Sequence, residues 1–205
     1  MRRLALILIL CLVLMPVLTA CGEDEAVTAE EILPVARALI ERSVLANDVM
    51  IGGGPPKGDL AFGEYYHVDQ EWQSRYGIDS VEDLLSYVAS VYTTTWYDRL
   101  YEWTITKDGV EPPDYQNRGA PATGLLVYAG RSGRYDDTTV YEYLYDTMTM
   151  TASTANTATV TLTVRITPDG CTPQERELSL NLLYTQDGWR CDKLTYVAYD
   201  ASSVN

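Results

Sequence analysis

The chain has 205 residues and a formal charge of −14, with 46% apolar and 21% charged residues. The length suffices for one domain with a real core and is too short for two comfortable ones, and the acidity repels nucleic acid and anionic lipid head groups. Sixteen tyrosines stand against one phenylalanine, Phe62, so the aromatic surface carries polar tips that suit half-buried sheet faces and binding surfaces alike.

Arg2 and Arg3 open the chain, Leu4 to Leu18 is an almost unbroken apolar run, and Thr19-Ala20 supply the small residues that precede Cys21. The order is that of an export signal, and a cysteine directly after Leu18-Thr19-Ala20 resembles the bacterial lipoprotein box. The resemblance implies cleavage after Ala20, a diacylglycerol on the Cys21 sulfur and an address on the outer face of the bacterial cytoplasmic membrane. Two or three acyl chains, at about 0.8 kcal/mol per buried methylene, hold far better than one. Residues 1–20 contain two of the 15 basic residues and none of the 29 acidic ones, so the remainder carries −16 and touches the membrane through its lipid. Residues 21–28 then form a lipidated acidic tether, 29–200 a single domain and 201–205 a C-terminal tail.

Thr28 and Glu31 have capping-box spacing, and Ile32, Val35, Ala36, Leu39, Ile40 and Ser43 fall on one stripe of a helix reaching about Asn47. Pro34 marks either its true start or a kink. Residues 52–59, rich in glycine and proline, lack the Gly-Lys-Ser/Thr ending of a phosphate-binding loop and read as a plain loop. A short extended piece spans 64–68. Ser80 and Asp83 cap a second helix bearing Leu84, Leu85, Val88, Val91 and Tyr92, and Thr93-Thr94-Thr95 start a third with Trp96, Leu100 and Trp103. Beyond Trp103 the apolar period becomes two, and residues 123–129, 138–150, 158–167, 175–184 and 189–199 read as strands. Val160, Leu162, Val164 and Ile166 should face the helices, as should Leu178 to Leu182, with Thr163 and Arg165 outward. Helices followed by an antiparallel meander predict an α+β domain with N-terminal helices packed on a curved sheet.

Cys11 leaves with the signal and Cys21 takes the lipid. With a hairpin about Gln186-Asp187-Gly188, Cys191 falls opposite position 182, and Cys171 lies beyond the far end of that strand, about 26 Å away at 3.3 Å per residue. A disulfide requires alpha carbons within about 7 Å, so Cys171 and Cys191 are expected to be separate thiols.

His67 is the lone histidine, which argues against a histidine metal site and leaves one imidazole for nucleophilic chemistry with Cys171 or Cys191. Neither cysteine sits at a helix N-terminus, where its thiolate would be favoured. Glu142 with Asp146, or Asp136 with Asp137, supplies carboxylate pairs for glycoside hydrolysis, although acids at turns and sheet edges are the commoner use. Gly-x-Ser-x-Gly, His-Glu-x-x-His and Ser-x-x-Lys signatures are absent. A noncatalytic, monomeric protein without metal or cofactor is expected. Its binding surface is placed on Tyr141, Tyr143, Tyr145, Glu142 and Asp146. The alternatives are an envelope enzyme or small-ligand binder using Glu142 and Asp146 inside the fold, and a structural lipoprotein docked on an envelope complex.

A glycine-rich loop, then Gly63-Glu64-Tyr65-Tyr66-His67-Val68, then the helix Ser80 to Thr93, then a long antiparallel sheet ending in a Gly188-Trp189 turn resembles the IseA-type inhibitors of cell-wall DL-endopeptidases. The resemblance covers about residues 29–198. It implies a cone fold, shared with cystatin-like and nuclear-transport-factor-like domains. It also implies a noncatalytic protein that covers the cleft of a cysteine peptidase trimming peptidoglycan. Those relatives are simply secreted, whereas this chain carries a lipid box and the tyrosine-rich stretch Tyr141 to Tyr145.

Overall fold

The computed structural model of the protein describes residues 25–106, 112–117, 124–131 and 139–199. The signal segment, Cys21, Asp136, Asp137 and the 201–205 tail lie outside the described residues.

Helix α1, Ala29–Ile51, starts at the capping box: the Thr28 hydroxyl accepts from the Glu31 amide at 3.3 Å, and the Glu31 carboxylate accepts from the Thr28 amide at 2.9 Å. Ile32, Ala36, Leu39, Ile40 and Ser43 are buried as their spacing predicts. Pro34 lies inside the helix on an exposed position, where its missing N–H removes one ladder bond. The helix runs one turn past Asn47, because Val49, Met50 and Ile51 are also buried and its last carbonyls find partners elsewhere in the chain.

Strand β1, Lys57–Phe62, turns at Gly63, whose φ of 64° favours glycine, into β2, Tyr65–Val68. Helix α2, Gln70–Tyr76, follows, capped by Asp69 and closed by left-handed Gly77. Helices α3, Val81–Ala89, and α4, Thr94–Tyr101, come next, and α4 continues into a π-turn over Glu102–Thr106. Strands β3, Tyr115–Asn117, and β4, Leu125–Tyr128, complete a first antiparallel sheet in the order β1-β2-β4-β3. The second is a meander of β5, Val140–Ser153, β6, Thr157–Thr167, β7, Gln174–Thr185, and β8, Gly188–Cys191.

The α+β class and the packing of helices on antiparallel sheet hold, with the strands divided between two four-stranded sheets. Val160, Leu162, Val164, Ile166, Leu178, Leu180 and Leu182 are all buried, against α1 and its neighbours, while Thr163 and Arg165 point the other way. Residues 57–59, read from sequence as loop, belong to β1. The expected strand over 189–199 pairs only to Cys191. There the chain leaves β7 and turns inward, because the Thr195 hydroxyl is wholly buried in a polar cluster beside α1. Leu182 pairs with Cys191, and both Cys171, exposed, and Cys191, buried, are free thiols.

Candidate functional site

Strand β5 distributes the five residues expected to bind a partner over two faces, as period-two geometry requires. Tyr141 pairs with Ile166 and Tyr143 with Val164, so both rings pack on the core side, half-buried. Tyr145 also packs against the core, with the Arg37 guanidinium of α1 lying 4.5 Å from its ring centroid. Glu142 faces outward. It accepts from Arg165 Nη1 at 2.7 Å, and Arg165 Nη2 also donates to Glu175 at 2.8 Å, forming an exposed cross-strand row. Asp146 is exposed where the β5 register shifts between Leu144 and Thr149. Along β5 the aromatic groups thus lie inward and Glu142 outward.

The inward rings form a concavity that the sequence did not announce. Val44, Asn47 and Asp48 of α1, Thr139 just before β5, Tyr141 and Tyr143 of β5 and Tyr196 of the C-terminal segment line a cavity of about 250 Å³. The Tyr141 and Tyr196 rings stand 6.1 Å apart at 75°, making two walls of a corner. Beneath it Asn47 Nδ2 donates to the Thr195 hydroxyl at 2.9 Å, and Asn47 Oδ1 accepts from the Tyr92 hydroxyl. Thr195 Oγ1 donates to Ser43 Oγ, Ser43 Oγ donates on to the Ile40 carbonyl at 2.7 Å, and Tyr143 donates to the Thr195 carbonyl at 3.0 Å. A buried network satisfied in this way is rigid, and burial pushes the Tyr92 phenol well above its ordinary range.

A second hollow, about 670 Å³, lies between β1, β2 and α2. Asp59, Asp69 and Asp79 line it with His67, Gln73 and Gly124, and no lysine or arginine is among its described lining residues. His67 Nδ1 sits 2.9 Å from the Val68 carbonyl and 3.2 Å from the Gln73 amide nitrogen, while its Nε2 side packs so closely on Gly124 that a Cβ there would collide with it. Asp69 accepts from the Trp72 amide as the α2 cap. The Asp79 carboxyl is raised through its hydrogen bond and like charge with Asp83, whereas Asp83 is lowered chiefly by the Ser80 hydroxyl.

His67 and Cys191 are not brought together as a nucleophile and base. His67 belongs to the first sheet and is engaged locally, while Cys191 lies in the second, where burial pushes its thiol up to about 12 and keeps it protonated. Cys171 sits exposed between β6 and β7. No group of three or more histidine, cysteine, aspartate or glutamate side chains is placed to hold a metal among the described residues. Nor is any described helix long and apolar enough to cross a membrane. Sequence reasoning missed Val44, Asn47, Asp48, Thr195 and Tyr196. The one signal that could have found them is a polar Asn47 and a Thr195 placed amid apolar periodicity. Compared with known proteins, the chain matches no family model, no curated sequence and no solved structure.

Proposed function

We propose that this chain is a noncatalytic binding module, monomeric and lipid-anchored through Cys21 at the outer face of the bacterial cytoplasmic membrane, that engages a cationic protein. The observation that carries the reading is the 670 Å³ hollow, lined by three aspartates and by no lysine or arginine among its described residues, on a chain of net charge −14. Such a concavity favours basic side chains and steers them from solution. A basic cell-wall DL-endopeptidase is the partner that the IseA resemblance supports, and inhibition by covering its cleft is the corresponding role.

The test is a pull-down from envelope extract with the full-length chain in nonionic detergent, at low and at high salt. Capture of a basic peptidase that is lost as salt screens the charges supports the proposal. Degradation of a cell-wall or sugar substrate by the isolated protein, with no protein captured, overturns it. The address is tested separately by Cys21→Ala: loss of radiolabelled fatty acid and of membrane retention is expected, and unchanged labelling refutes the lipid site.

A further inference from the structure

We propose that the tyrosine-walled cavity between α1 and β5 binds a small organic ammonium ion. The proposal does not depend on the protein partner above, which would use the separate aspartate-lined hollow. The cavity of about 250 Å³ fits a ligand of a handful of heavy atoms, below the roughly 300–1,000 Å³ of drug-sized sites. The rings of Tyr141 and Tyr196 meet at 75°, and Tyr143 adds a third aromatic wall. Aromatic faces carry partial negative charge and attract a cation held within about 6 Å, most strongly one that is weakly hydrated, as methylated ammonium ions are.

The polar groups of the cavity point to the same ligand class. A neutral sugar would require several uncommitted hydrogen-bonding groups. Here the Asn47 amide already serves Tyr92 and Thr195, and the Tyr143 hydroxyl serves the Thr195 carbonyl. The lining otherwise consists of ring surface, Val44, Thr139 and Asp48, whose carboxylate also accepts from the Gly54 amide at 3.3 Å. A carboxylate beside aromatic walls complements a compact cation and penalises an anion. Neither lysine nor arginine is among the described lining residues.

The experiment titrates the full-length chain, in a polyoxyethylene detergent, with choline and with its neutral isostere 3,3-dimethyl-1-butanol, read by calorimetry and by intrinsic fluorescence. Choline should saturate, and the isostere should bind at least about tenfold more weakly. Tyr141→Leu and Tyr196→Leu should each weaken choline about fivefold or more, and Tyr196→Phe, which keeps the ring, should retain it. Asp48→Asn should weaken choline without improving the isostere. A thermal melt accompanies every variant. Should Tyr141→Leu unfold, the pair Tyr196→Leu and Tyr196→Phe still decides the ring's role. An Nα-acetyl-lysine amide arm separates the sources: preference for choline assigns the site to a free ammonium, preference for the lysine to a side chain bearing the same charge. Equal binding of choline and isostere, saturation by N-acetylglucosamine in place of choline, or no saturable binding of either ammonium overturns the proposal.

Discussion

The guanidinium of Arg131 donates through Nη1 to the carbonyl of Gly52 at 2.7 Å, closing the C-terminus of α1 from 79 residues away. Nη2 adds the Val49 carbonyl at 2.9 Å, the Tyr115 hydroxyl donates to the same carbonyl at 2.6 Å, and Asp114 lies 3.5 Å from Arg131 Nε. A helix end leaves four carbonyls without intrahelical partners, and burial makes leaving them so expensive. Arg131 therefore sets where α1 stops, and with it the position of Asp48 on the rim of the aromatic cavity.

Replacing Arg131 with alanine should destabilise the fold by about 3–5 kcal/mol. The side chains of Arg131 and Asp114 are 2% and 8% exposed, so the variant leaves a buried carboxylate without its guanidinium and takes a donor from the Gly52 carbonyl, while the Val49 carbonyl keeps the Tyr115 hydroxyl. Arg131→Lys should recover only part of this, since an ammonium cannot reproduce a planar fork serving the Asp48, Val49 and Gly52 carbonyls beside the Asp114 carboxylate. Urea denaturation measures both. A loss under about 1 kcal/mol for the alanine variant would show that α1 is terminated by other means.

The two thiols should differ sharply in reactivity. Alkylation at pH 8 without denaturant should label the peptide containing exposed Cys171 and spare Cys191, which is buried opposite Leu182 and protonated. In denaturant, still without reductant, both peptides should be labelled. Failure of both to react there would mean a disulfide, and a β7–β8 register other than the one described.

The second sheet was legible in the sequence because β6 and β7 alternate without interruption, so one face choice fixes every side chain. The start of α1 was legible for a different reason: Thr28 and Glu31 satisfy each other locally. What escaped was decided at long range. Helix α2 has seven residues and β3 three, too short for periodicity to register. The chain departs from β7 after Asp192, whose amide still donates to the Asn181 carbonyl, because Thr195 is drawn to Asn47, a partner 148 residues away. The aromatic cavity combines α1, β5 and the C-terminal segment and so leaves no contiguous motif. Period-two geometry places Tyr141 and Tyr143 on the face opposite Glu142, with which they had been joined.

Alkaline pH should unfold this protein earlier than its overall charge alone would suggest. Burial raises the Cys191 thiol from 9.0 to about 12 and raises the buried phenols of Tyr92 and Tyr115 from 10.0. For groups whose folded pKa is raised, the stabilising contribution is fully present below the unfolded pKa and is lost as pH rises through the folded one. Above pH 9 the unfolded chain releases the Cys191 proton and above pH 10 the two phenolic protons, while the folded chain still holds all three; fewer protons bound in the unfolded state make stability fall with pH. Cys191→Ala should remove the part of the slope that begins near pH 9, at the cost of a small cavity that lowers stability at neutral pH by about 1 kcal/mol. Tyr92→Phe should flatten the part that begins near pH 10, at the cost of the hydroxyl's bond to Asn47. Urea midpoints from pH 7 to pH 11 for the three proteins measure this. A wild-type midpoint that stays constant to pH 11, or the same slope in all three, would mean that these groups ionise in the folded state as freely as in the unfolded chain.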